Sequence, residues 1–472
     1  MVGLSCETNP AQKELPLRQK ITLRPCFSAN IPKTIAVVSE YHAMYDSFEL
    51  ALKMNPKILD LAHEDLKSYG VSGGRESSFS TEQVLRMILV KATENFTWRE
   101  LVIRVSESDF LRNFTRIGMG TIMSFSFLAT AFKQMRTETW DAINNSLLEY
   151  AISKGKATST DLRVDSTVVE TNIHYPTDSS LMWDVYRVGS RELSLFREMD
   201  ARCPRFRFHL RKIKRLHTFI STHAGKKTAS TKRDVKKSLQ LLVDRISELI
   251  EKIKVVKSLS LSWSCTEEQM RQLHTLSEFL PKAQAIAKQS ARAISGEVVP
   301  ASERIFSIFE DHTELLIRGK AQKPREFGHM VTIAQTRQKF ITTYHVAEKS
   351  PHDSSMTKVV LEQHKKQFGQ YPEKFTADKN YYKSMEDVQE WETKIDVFSV
   401  GKKGRRNDDE TEREHSDEFR DMQKFRAGCE GSISVLKRGF GLKRLLSRSF
   451  NSFSAWVGTI VFCHNLVLLG ET

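Results

Sequence analysis

The chain has 472 residues, 40% of them apolar and 28% charged, a composition that excludes disordered, collagen-like and membrane-embedded proteins and suits two to four domains of about 100–200 residues. Its net charge is +14, and its six cysteines form no C-x-x-C pair, which argues against a zinc cage or a disulfide framework and makes reduced thiols the expectation. Glu7, Asn9 and Gln12 interrupt the N-terminus where a secretory leader would be apolar, so a cytoplasmic protein is expected.

Residues 1–35 contain Pro10, Pro16, Pro25 and Pro32 without any period and are expected to form a flexible arm. Residues 36–155 are expected to form an all-helical N-terminal domain. Pro56 and Gly70 bracket a helix over Lys57–Tyr69. Ser80 with Gln83, and Thr97 with Glu100, have capping-box spacing and predict two short helices in succession, with Leu85, Ile88, Leu89, Leu101 and Val105 as their apolar stripe. Such a pair suits a helix-turn-helix and a plain helical bundle equally.

After Gly155 the β-branched run Leu162–Val169 predicts a strand with Asp165 at its centre. Helical periodicity then returns, giving a helical insertion over 186–303. Its segment 201–260 holds 17 Lys and Arg against 4 Asp and Glu, a net of 17 − 4 = +13, which attracts a polyanion through its phosphates. Strands are predicted at Arg304–Glu310, Thr313–Ile317, His329–Ala334 and Phe340–Val346, then a helix over Ser354–Gln367, a short strand ending at Asp378 and another at Ile395–Val400. The charged stretch Gly401–Asp421 predicts a mobile surface loop. Phe453–Gly470 is apolar but contains His464 and Asn465, which predicts a packed helix rather than a membrane span. The order is that of a mixed α/β sheet formed by 156–185 and 304–472, interrupted by an all-helical insertion.

Three acids stand out by context. Asp165 lies in an apolar strand, Asp378 ends a strand, and Glu430 sits in the basic stretch Lys424–Arg448. Taken singly, each has a structural reading as a cap, a turn residue or an ion-pair partner. On one helix, Arg426, Glu430 and Lys437 fall within a stripe roughly 60° wide. An acid flanked by cations suits phosphoryl transfer, in which carboxylates position metal ions and basic groups bind phosphates. An intrahelical salt-bridge ladder gives the same spacing. His174 is expected to be a loop histidine and Trp183 a core indole, and His352-Asp353 lacks the further histidines of a metal cage.

The segments Val164–Leu181, Arg318–Val331, Phe375–Tyr382 and Phe425–Leu442 resemble bacterial insertion-sequence transposases of the DDE class, in particular the ISNCY-like group. Arg426, Glu430 and Lys437 fit the R-x3-E-x6-K part of a Y-x2-R-x3-E-x6-K signature, whose tyrosine is Gln423 here. Lys379-Asn380-Tyr381 replaces the common Arg-Gly-Tyr after the second acid. The resemblance implies an RNase H-like fold in which Asp165, Asp378 and Glu430 are catalytic and ligate two Mg²⁺ (or Mn²⁺) ions about 3.5–4 Å apart. Arg426, Lys437, Arg438, Lys443 and Arg444 would bind DNA phosphates. Hydrolysis at the element end, followed by attack of the freed 3′-hydroxyl on a target phosphodiester, is the implied reaction, near the bacterial nucleoid. Its partners would be terminal inverted repeats and target DNA, held by a homodimer on paired ends, with the basic insertion and N-terminal helices gripping the ends and no membrane involved. A non-catalytic, transposase-derived DNA-binding protein and an RNase H-like structure-selective nuclease are the alternatives.

Overall fold

The computed structural model describes residues 18–21, 35–69, 78–317 and 324–471. Most of the arm and the expected stop at Gly70 lie outside them. Seven helices come first: α1 (Ala36–Met54), α2 (Lys57–Leu66), α3 (Thr81–Thr93), α4 (Trp98–Glu107), α5 (Asp109–Phe114), α6 (Phe125–Gln134) and α7 (Thr137–Ser153). Then follow β1 (Asp161–Thr171), α8 (Asp178–Met199), α9 (Leu210–His223), α10 (Ala229–Ser260), α11 (Glu267–Ser295), β2 (Glu314–Leu316), β3 (Glu326–Gln335) and β4 (Ile341–Val346). The last elements are α12 (Asp353–Phe368), β5 (Lys374–Ala377), α13 (Met385–Glu392), β6 (Val397–Ser399), α14 (Asp408–His415), α15 (Asp417–Arg438), β7 (Arg444–Leu445) and α16 (Phe450–Glu471). They form two compact units: 1–169 with 330–347 and 351–472, and 170–329 with 348–350.

In the first unit the expected capping boxes form, Ser80 with Gln83 opening α3 and Thr97 with Glu100 opening α4. Each satisfies amides that have no partner within the helix. Leu85, Ile88, Leu89, Leu101 and Val105 are buried as their spacing requires. They share one core with Phe453, Val457, Val461 and Leu466 of α16. That helix is long and apolar enough to cross a membrane, yet 83% of its most apolar 18-residue window is buried within the protein. Asn465 explains its polar interior: its carboxamide accepts from the Ile341 amide and donates to the Ile341 carbonyl, both at 2.9 Å.

The strand order in this unit is β4-β3-β1-β5-β6, with β7 also paired to β1. β4 is antiparallel to β3, while β1, β5 and β6 are mutually parallel neighbours. A mixed sheet in this order, with helices α12, α13 and α15 alongside its strands, is an RNase H-like α/β fold.

The second unit packs α8, α9, α10 and α11 around Met182, Val185, Leu249, Ile253, Phe279 and Ile286. Gly189 lets α8 approach its neighbours closely, since a β-carbon there would lie 2.8 Å from both Leu249 and Phe279. Trp183 packs at the edge of this core with its ring stacked on His217. His174 is half-exposed near Asp184. β2 pairs antiparallel with the first residues of β3.

Two expectations are corrected. Arg304–Glu310 is irregular rather than a strand, because side chains satisfy its backbone. The Gln289 carboxamide bonds both the amide and the carbonyl of Ile305, and the Ser307 hydroxyl accepts from the amides of Phe309 and Glu310. Gly401–Asp421 is largely helical instead of a loop. An Asn407–Glu410 capping box opens α14, and Lys402–Glu410, Arg406–Glu414 and Arg413–Glu392 ion pairs pin it down.

Candidate active site

The register of two parallel strands places the first two acids. Val164 of β1 is opposite Ala377 of β5, so Asp165 and Asp378 follow side by side at the carboxyl end of β5. Asp165 is half-exposed, and one of its carboxylate oxygens accepts from the Ser166 amide at 2.7 Å. Asp378 opens the single helical turn Lys379–Tyr381. Tyr381 ties that turn to β1, its hydroxyl lying 2.5 Å from the Ser166 hydroxyl, which lies 2.9 Å from that of Thr332. Burial pushes the Tyr381 phenol above its ordinary range, ahead of smaller charge effects that include Asp353 and Asp165.

Helix α15 supplies the third acid, and Arg163 fixes where. Alternate residues of a strand share a face, so Arg163 and Asp165 project to the same side of the sheet. Arg163 is only 4% exposed. Its guanidinium donates to the Phe425 carbonyl at 2.9 Å, to Ser432 at 3.2 Å and to Gln335 at 3.2 and 3.3 Å. It fills the space a side chain on Gly428 would need. Farther along, Lys437 donates to the Val168 carbonyl at 2.9 Å. Helix α15 thus lies against β5 and β6 and is tied to β1 at two places, through Arg163 and through Lys437, with Glu430 between the tied positions. Cys429, next to Glu430 on α15, feels the charge of both acids. Its thiol is pushed up to about 12, first by burial and then by Asp165, with Glu430 also raising it.

Glu430 is exposed and Asp378 half-exposed. Neither carboxylate has a hydrogen-bond or ion-pair partner among the described residues. No three His, Cys, Asp or Glu side chains are already gathered into a metal-holding cluster among the described residues. The donor set itself suits a hard divalent cation, being three carboxylates, two of them uncommitted to any protein cation. His352 and Asp353 stand at the start of α12 and join no such cluster.

Of the expected phosphate-binding residues, Arg426 is half-buried and donates to the Gln423 carboxamide oxygen at 3.3 Å. Arg438 is exposed and donates to the Ser434 hydroxyl at 2.8 Å. Arg444, the first residue of β7, and Lys443 just before it are exposed; that strand pairs with β1. Lys437 is committed to the strand carbonyl. Sequence reasoning missed Arg163 and the role of Gln423, whose amide donates to the Ser399 carbonyl at 2.8 Å and to the hydroxyls of Ser399 and Thr376 at 3.1 and 3.3 Å. This side chain fastens α15 to β5 and β6. An arginine two residues before an in-strand aspartate was the one available signal for Arg163.

Residues 311–466 match the family model described as the transposase DDE domain. That segment contains Asp378 and Glu430 but not Asp165, which only strand register brings to the same place. No curated protein and no solved structure matches the chain. The match supports a transposase function acting on DNA, with the nuclease chemistry and divalent-metal use of such domains.

Proposed function

We propose that the protein is the transposase of an insertion sequence, of the ISNCY-like group, which cleaves the ends of its element and joins them to target DNA. The observation that carries this reading is the juxtaposition of Asp165 and Asp378 at adjacent strand positions on a sheet flanked by the Glu430 helix. Asp165, Asp378 and Glu430 would hold two Mg²⁺ ions, which when bound supply activation of the attacking oxygen and neutralisation of charge at the leaving oxygen. The remaining work falls to the chain itself. Arg426 and Arg438 face phosphates near the scissile bond from α15, while Lys443 and Arg444 extend the contact beyond it. Lys437 and Arg163 hold the helix so that Glu430 is presented toward β1. The N-terminal helices contribute to holding DNA, and paired ends call for a homodimer.

The test is incubation of the full chain with labelled element-end duplex and supercoiled plasmid, in Mg²⁺ and in EDTA. Mg²⁺-dependent joined product is the expected result. Binding without cleavage would replace the proposal by a transposase-derived DNA-binding protein, and cleavage without joining by a structure-selective nuclease.

A further inference from the structure

The second unit carries a run of cations that the catalytic reading does not use. Between Arg205 and Gln240 stand 12 Lys and Arg and the single acid Asp234, so 12 − 1 = +11 of the chain's +14 lies in this stretch. Its core is the hairpin of α9 and the start of α10. Ile213 and Ile220 of α9 are buried, which leaves Arg211, Lys212, Lys214 and Arg215 exposed. Lys226 and Lys227 are exposed in the turn, and Lys232, Arg233, Lys236 and Lys237 on α10.

Helix α10 provides its own comparison. In its later part, Arg245 pairs with Glu248 at 2.8 Å and Lys254 with Glu251 at 2.7 Å, as on an ordinary solvated face. From Arg211 to Lys237 no cation has an ion-pair partner among the described residues. Worse, Arg211 and Arg215, Lys232 and Lys236, and Arg233 and Lys237 sit four apart, a spacing at which like charges repel. The N-terminus of α10 has no side-chain cap bond and no acid in its first turn, so its positive dipole end adds to the cations instead of offsetting them. An unrelieved positive surface of this kind is stable against an external polyanion.

We infer that the α9–α10 hairpin is a DNA-binding surface that grips the phosphate backbone of duplex DNA without reading its bases. The inference rests on the transposase reading for its choice of DNA as the polyanion. Its chemistry fits phosphate rather than base edges, because lysines predominate, with serine and threonine hydroxyls between them. Helix α9, about 21 Å long, spans roughly six phosphate steps of one strand.

Fluorescence anisotropy of the full chain with a mixed-sequence duplex, from 0.05 to 0.3 M KCl, tests this in an Asp165→Asn background that keeps binding separate from cleavage. Lys226, Lys227, Lys232 and Lys236 are changed together to Gln, which preserves helix propensity, and in a second variant together to Arg. If half of them meet phosphates, the Gln variant loses about 2 from the slope of log affinity against log salt and roughly 60-fold in affinity at 0.1 M. The Arg variant retains both. Wild-type slope and affinity in the Gln variant would overturn the inference, as would tighter binding to an RNA hairpin or to anionic vesicles than to the duplex. Binding through the hairpin, in a protein whose form with Asp165 intact never joins DNA, would keep this inference and refute the transposase reading. Normal joining with hairpin-independent binding would do the reverse.

Discussion

Replacing Arg163 by methionine keeps much of the side chain's bulk and removes the fork that fastens α15 to β1. A hydrogen bond to a charged group contributes about 1.5–3 kcal/mol net. Of the four made here, one is 2.9 Å and three are 3.2–3.3 Å long. Against them stands the burial of the guanidinium, which lowers its tendency to hold a proton and is relieved by the substitution. The balance is a loss of about 2–4 kcal/mol, or roughly 30- to 900-fold in the folding equilibrium. Arg163→Lys, which keeps the charge without the fork, should lose about half as much. Gly428→Ala attacks the same contact from the helix, since its methyl group would collide with the guanidinium. Urea unfolding followed by circular dichroism reads the stability. End cleavage assayed well below the unfolding transition reads whether Glu430 is still presented, with a drop of at least about 100-fold expected for Arg163→Met. Wild-type unfolding and cleavage in that variant would refute the idea that Arg163 sets the position of α15.

The remaining predictions concern Glu430 and three buried groups. Glu430→Gln alters an exposed, unpartnered carboxylate and should leave stability within about 0.5 kcal/mol while abolishing cleavage; residual wild-type cleavage would remove Glu430 from the site. Tyr381→Phe breaks the tie between the turn after Asp378 and β1. It should cost about 1–2 kcal/mol and slow cleavage less than Asp378→Asn, and equal losses would contradict a positioning role. His364 and His464 are each held down to about 4 from an ordinary 6.5 by burial. Protonation thus favours the unfolded chain. Stability should be complete above about pH 6.5 and fall toward pH 4, by up to about 1.4 kcal/mol per unit for each histidine. His364→Gln should flatten that slope in urea titrations between pH 7.5 and 5, and an unchanged slope would count against it.

What the residues revealed in advance was local and periodic. LRVDSTVV announced β1, and the Ser80–Gln83 and Thr97–Glu100 boxes announced α3 and α4. Tertiary satisfaction of the backbone was not legible. Ile305, Phe306 and Ile308 supply the apolar content of a strand, yet a distant glutamine and a local serine take up its hydrogen bonds. At Gly401–Asp421, charge density suggested a loop, although Asn407 and Glu410 have helix-opening spacing and the charges pair across α14. For the site, three candidate acids could be named from context. Their meeting depends on pairing between β1 and β5, more than 200 residues apart in sequence, and on an arginine clamp that no periodicity encodes.

The central claim is that Asp165, Asp378 and Glu430 share divalent cations. Crystals of the full chain with cleaved element-end DNA, soaked in Mn²⁺ and measured for anomalous scattering, test it most directly. The account predicts two anomalous peaks about 3.5–4 Å apart, with Asp165 between them and Asp378 and Glu430 on either side. Manganese bound elsewhere, with the three carboxylates left unligated, would contradict it.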